Sequence, residues 1–183
     1  MPLLTILSAL VLLAYPLAVY FGLQYLSLPV ISAVVAGMFL LRLITSKKAP
    51  VAELKIIAWL TASIGILLAV LGSLFKQYNW LIFYPVVVNL IMLAFFAASL
   101  KQKQTIIERL ARLQDPTLPD SGVKYTRKVT QIWCVFFILN GSAALITCFL
   151  SLKVWTLYNG LISYVLIGTL LAGEWLVRKR VKA

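Results

Sequence analysis

The residue types that usually carry chemistry are scarce in this chain. It has no histidine, two cysteines (Cys134 and Cys148) and five carboxylates: Glu53, Glu108, Asp115, Asp120 and Glu174. Without an imidazole, no serine or cysteine has the base that activates it in the usual nucleophilic triads. A zinc-type site would lack one of its common ligands. The two cysteines lie in a single apolar run, about 21 Å apart along a helix axis at 1.5 Å per residue. They read as small buried hydrophobes. The residues therefore predict no catalytic group, no metal site and no cofactor, and the chain reads as a non-enzyme.

Polar groups within apolar stretches are the better candidates. Counted at 1.5 Å per residue from the ends of the predicted helices, Tyr15, Asn89, Asn140 and Tyr164 lie at similar depths, roughly 12–15 Å in. Four helices thus place a hydrogen-bonding group in one layer, either to pair helices or to line a cavity. Glu174 lies in an apolar stretch near its basic end, with Arg178 four residues on in the favourable order and Arg127 and Lys128 at the same level. Those four predict interfacial ion pairs; the alternative is a proton- or substrate-coupling acid.

The elements that must hold these groups follow from composition. Of 183 residues 62% are hydrophobic and 12% charged, with a mean hydropathy of +0.99. Soluble domains are about 45–50% apolar and about 25% charged, so the chain belongs in a bilayer. A span takes about 20 apolar helical residues, and six stretches qualify: 3–23, 28–45, 54–75, 80–100, 129–150 and 156–177. The expected fold is an all-α polytopic bundle forming one membrane domain, 1–183. Five spans is the alternative count, because the link between the first two is tight. The first run lacks a basic leader and is longer than a signal-peptide core, so it is expected to stay. Trp80, Trp155 and Trp175 fall at span ends, as an interfacial belt would. Tyr15-Pro16 and Tyr84-Pro85 invite an inverted repeat of transporter type, although the connecting loops of the two halves differ in length.

Charge gives the orientation. Six spans put fifteen of the seventeen Lys and Arg residues on one side and only Lys76 and Lys153 on the other. The basic side is cytoplasmic by the positive-inside rule, and so are both termini. The net charge of +12 is then a topology signal with affinity for anionic lipid headgroups; no soluble basic module exists to bind nucleic acid. Residues 101–115 carry Ile106, Leu110 and Leu113 at helical spacing, with Lys103, Arg109 and Arg112 on other faces. Thr105 and Glu108 fit a capping box. This predicts an amphipathic helix at the interface, as a connector or as a docking element for a partner. Two Asp-Pro and Pro-Asp breaks follow it.

The runs Ile107 to Leu113 and Tyr125 to Cys134, Phe136-Phe137, Asn140-Gly141, Tyr84-Pro85 with Asn89, Trp155 with Tyr158-Asn159-Gly160, and Gly173 to Arg178 together resemble a family of small bacterial inner-membrane proteins encoded in aryl-polyene and xanthomonadin-type pigment gene clusters. The likeness covers almost the whole chain. The last hundred residues or so more distantly resemble the intracellular septation protein A family. The resemblance implies a part in making or placing a polyene lipid in the envelope, beside membrane-bound biosynthetic enzymes, and names no catalytic residue. A non-enzymatic accessory role is expected, with transport of a lipid-linked polyene, an enzyme acting on that lipid, or envelope maintenance and division as alternatives.

The topology is directly testable. Reporter fusions at Lys48, in the 114–122 loop and after Ala183 should read cytoplasmic, and those at Asn79 and Lys153 periplasmic. An external N-terminus with the rest unchanged would mean five spans.

Overall fold

The computed structural model describes residues 20, 21, 25, 30, 33–40, 51–74 and 79–182. Every regular element among them is helical. Among the described residues four helices are long and apolar enough to cross a membrane: Ala52–Leu71, Trp80–Ser99, Asp120–Thr147 and Leu152–Arg178. They correspond to the third to sixth predicted spans. The first predicted span, with Tyr15, lies outside the described residues except at its end. Of the second, residues 30 and 33–40 are described and helical.

In chain order the elements are α1 (Ala52–Leu74), α2 (Asn79–Ile82), α3 (Tyr84–Ser99), α4 (Ile106–Arg112), α5 (Asp120–Thr147), α6 (Leu152–Leu157), a π-helical turn (Tyr158–Ile162) and α7 (Ser163–Lys182). The break between α2 and α3 falls at Phe83 because Pro85 has no N–H to continue the ladder, while its fixed φ suits a helix's first turn. The Ile82 carbonyl beside the break accepts from the Trp155 indole Nε1 at 2.9 Å and from the Cys148 thiol at 3.2 Å. Trp155 is therefore not a belt residue: it is 1% exposed and fastens α6 to the α2–α3 break. Trp80 and Trp175 are exposed, as a belt requires.

α5 begins at Asp120, nine residues before the predicted span start. Its 28 residues reach about 42 Å at 1.5 Å per residue, more than the hydrocarbon core of about 30 Å. The polar face of residues 120–128 hides this first part of the helix from a hydropathy reading. Asp120 in the first turn complements the helix dipole.

Two apolar clusters hold the bundle. Near the α2–α3 break, Val35 and Phe39 pack with Ala62 and Ala69 of α1, with Tyr84 and with Trp155. The Phe39 and Tyr84 rings lie 4.7 Å apart. Toward the other end, Phe96 of α3 meets Val129, Trp133 and Phe137 of α5 and Ile106 of α4, with Phe96 edge-on to Phe137 at 5.2 Å. α3 and α5 share the broadest helix contact. α7 is peripheral: it packs chiefly on the π turn that leads into it. Only 6% of the most apolar stretch of its span is buried, against 39% for α1 and α5.

The start of α1, the ends of α3 and α7, the start of α5 and all of α4 gather at one end, the basic end. Arg109 pairs there with Glu53, and the Arg127 guanidinium donates to the Leu100 carbonyl at 2.8 Å, serving an orphan acceptor at the end of α3.

A Cβ at Gly65 would run into the Phe39 ring, whereas one at Gly168 meets nothing within 4 Å. Gly65→Leu should therefore lower stability in detergent by about 1–3 kcal/mol, the usual cost of overpacking. Gly168→Leu should leave the melting temperature in place. Equal shifts would contradict the seating of residues 33–40 on α1.

A midplane amide network and the cleft beside it

Of the predicted midplane layer, Tyr15 lies outside the described residues, and Asn89 and Asn140 meet. The Asn140 side chain of α5 donates through Nδ2 to Asn89 Oδ1 of α3 at 3.1 Å. Its own Oδ1 accepts from the Tyr158 hydroxyl and the Ser163 hydroxyl, each at 3.0 Å. Asn89 closes its share by donating to the Pro85 carbonyl at 2.8 Å. Three membrane-crossing elements thus meet at one amide. Asn89, Asn140 and Ser163 are all buried. Tyr164 lines the adjoining cavity. Asn159 joins at the next level, donating to Thr147 Oγ1 at 3.1 Å and to the Trp155 carbonyl at 2.9 Å.

The π turn makes this possible. In an α-helix of 3.6 residues per turn, positions 158 and 163 lie roughly 140° apart and cannot reach one acceptor. Here the Ser163 N–H bonds to the Tyr158 carbonyl five residues back, a wider turn that brings both hydroxyls to the same side. Such single-turn π bulges recur at functional sites. Gly141 allows the approach of α5 to α3, since a Cβ there would stand 3.0 Å from Asn89 Cβ.

Beside the network, α7 parts from α3 and α5. The gap is a cleft of about 460 Å3, walled by Met92 and Phe96 of α3, Trp133 and Phe136 of α5, and Ile167 and Leu171 of α7. Asn89, Asn140, Asn159 and Ser163 form its polar end. α4 closes the basic end with Ile107 and Leu110. A second cavity of about 220 Å3 continues toward the basic end and shares Ile107, Leu110, Trp133 and Leu171 with the first. It is lined by Asp115, Tyr125, Glu174 and Arg178. There the Tyr125 hydroxyl donates to the Glu174 carbonyl at 3.1 Å, which ties α7 back to α5.

α4 keeps the predicted cap but is shorter than the predicted helix of 101–115, covering only Ile106–Arg112, and its first residue sits deeper than an interfacial helix would place it. Thr105 caps it by accepting from the Glu108 N–H at 3.2 Å. The Glu108 carboxylate, 3% exposed as a residue, is held by Arg112 Nε at 2.9 Å. Ile106 is fully buried and Leu110 packs against the same cluster, so this part of the stripe enters the bundle end, while Leu113 of the predicted stripe is exposed. Of the three basic residues predicted to dock a partner, Arg109 is engaged with Glu53, Gln102 and the Gln104 carbonyl. Arg112 holds Glu108 and the Pro116 carbonyl, and Lys103 is exposed. Of the predicted interfacial set, Glu174 faces Arg178 at 3.8 Å, Arg127 serves Leu100, and Lys128 is exposed.

Sequence reasoning named Tyr125, Tyr158 and Asn159 only for the resemblance, gave them no place in a site, and missed Ser163. A signal existed for three of them in the Asn159-Gly160 pair, polar and flexible within an apolar helix. Among the described residues no three His, Cys, Asp or Glu side chains come together. The groups at the cleft can donate and accept hydrogen bonds to a bound molecule and hold its apolar part. No family model, curated protein or solved structure matches the chain.

Asn140 serves three cross-element bonds and Asn89 one. Interhelical bonds in membranes contribute about 0.6 to 2 kcal/mol each. Asn140→Leu should therefore cost about two to three times as much stability in detergent as Asn89→Leu, read by thermal melting. Equal losses would contradict the network.

Proposed function

We propose that this chain is a bacterial inner-membrane protein that takes the apolar tail of an envelope lipid into the cleft between α3, α5 and α7. It serves lipid or aryl-polyene pigment synthesis as an accessory, without carrying out the chemistry itself. Six spans put the basic end and both termini in the cytoplasm, with the first two spans in residues 3–23 and 28–45.

The observation that carries this reading is the cleft itself. Its volume, about 460 Å3, falls within the range of ligand pockets, about 300–1,000 Å3. Its walls are mainly apolar, with polar groups converging at one end, as small-molecule sites usually are. The aromatic side chains of Phe96, Trp133 and Phe136 offer flat surfaces on which an extended conjugated tail packs well. The resemblance to the pigment-cluster family supports a polyene as the tail, and the engaged state of Arg109 and Arg112 favours the cleft over α4 as the working surface.

Lipid retained through purification, read by native mass spectrometry, tests this. The wild-type protein should carry lipid. Ile167→Trp, which fills the cleft from its α7 wall, should cut retention by about tenfold, equivalent to 1.4 kcal/mol, with the melting temperature held. Equal retention by the two proteins, or none by the wild type, would contradict the reading. In cells, loss of the envelope product on deletion supports an accessory to synthesis, whereas product accumulating on the inner leaflet indicates transport.

A further inference from the structure

We propose that the polar end of the cleft holds a hydroxyl, so that the tail it selects ends in an alcohol instead of a methyl group. This rests on the reading of the cleft as a tail site and names the class of tail. A tail entering from the basic end, past Ile107 and Leu110 of α4, reaches the amides with its far end.

Asn159, the amide in the π turn, lines the cleft and is 5% exposed. Its Nδ2 uses both hydrogens inside the protein, on Thr147 Oγ1 at 3.1 Å and on the Trp155 carbonyl at 2.9 Å. Those partners fix which way the amide points. A backbone carbonyl only accepts, and the Thr147 hydroxyl already donates to the Ala144 carbonyl at 2.7 Å. The Oδ1 atom is therefore turned from both and, among the described residues, accepts from no donor. Nor is it sealed in protein: among the described residues the sealed side-chain atom without a partner is Thr156 Oγ1. The same end has donors to spare. Asn140 Nδ2 gives one hydrogen to Asn89 Oδ1, and Asn89 Nδ2 gives one to the Pro85 carbonyl, while each amide nitrogen carries two. Among the described residues no Lys, Arg, Asp or Glu lines the cleft. A charged end would be buried there without a counter-charge, at far greater cost than an unmet hydrogen bond. A methyl end would leave the Asn159 oxygen dry and unpaired, which is the expensive state of a buried acceptor. A hydroxyl both donates and accepts, so one atom serves Asn159 Oδ1 and a spare amide N–H. Sites built to bond a hydroxyl reject the analogue lacking it more sharply than apolar pockets reject a missing methylene.

The test holds the head constant and varies the far end. The full chain in detergent is offered equal amounts of dodecanoic acid, ω-hydroxydodecanoic acid and ω-methoxydodecanoic acid, and bound acid is read by native mass spectrometry. The methyl ether accepts but cannot donate, so it isolates the bond to Asn159 Oδ1. The wild-type protein should retain the hydroxy acid about tenfold over either of the others, and Ile167→Trp should lose all three. Asn159→Leu removes the unmet oxygen and should bring the hydroxy and plain acids to near parity by raising retention of the plain acid. If that variant does not fold, the wild-type comparison decides the case by itself. Equal retention of the three acids, a preference for the plain acid, or equal retention of the hydroxy acid and its methyl ether would overturn the hydroxyl site and leave the tail cleft standing. So would a hydroxy preference that survives Asn159→Leu or Ile167→Trp. Retention of bilayer lipid but of none of the acids would overturn the hydroxyl site alone, and retention of neither would overturn both.

Discussion

The side-chain amide of Asn140 is the point on which this arrangement turns. In a bilayer no water satisfies a buried amide, so its donor and acceptor must find partners on neighbouring helices. They do so on both sides, at Asn89 of α3 and at Tyr158 and Ser163 around the π turn. For α3 and α5 this bond supplements a broad apolar contact. For α7 it matters more, because that helix buries little of itself. The amide holds its upper end, and the Tyr125 hydroxyl holds its lower end through the Glu174 carbonyl. Between those two ties α7 touches the bundle through Ile167 and Leu170, and the cleft opens beside these contacts.

The basic end follows a second constraint. Glu53, Glu108 and Glu174 each meet an arginine. Exposed pairs contribute little to stability, about 0–1 kcal/mol, but these three fix positions. Glu53 and Arg109 join α4 to the start of α1, and Glu108 with Arg112 keeps a buried carboxylate compensated within α4 itself. α4 is thereby fastened as a roof over the cleft, with Ile107 and Leu110 turned into it. Arg109 and Arg112, which an interfacial helix would offer to lipid headgroups, serve here to build the protein, and Arg178 lines the second cavity.

Much of this was legible in the residues. The four described spans lie where apolar length puts them, because length and hydropathy are the property a bilayer selects. The Thr105 cap and the pairing of Glu174 with Arg178 depend on spacing within one helix, and spacing is visible in a sequence. Asn89 and Asn140 stood out as amides at one depth, and they meet. What was hidden depends on the third dimension or on a broken period. Tyr158 and Ser163 share a face only through the π turn, so the 3.6-residue period separates them. Trp155 sits near a span end, as a belt residue would, yet a carbonyl exposed by the α2–α3 break draws its indole inward. α4 has the pattern of a surface helix, and only the open end of the bundle shows where its apolar stripe goes.

The most direct test asks whether lipid chains enter the cleft. Trp133 and Trp155 are both buried, at 8% and 1% exposure, but only Trp133 walls the cleft. Two variants, each keeping one of these tryptophans and carrying Phe at the other four, can be placed in vesicles whose acyl chains are brominated, since bromine quenches tryptophan fluorescence on close approach. The account predicts strong quenching of Trp133 and little of Trp155. Trp133 shielded to the same degree as Trp155 would contradict it.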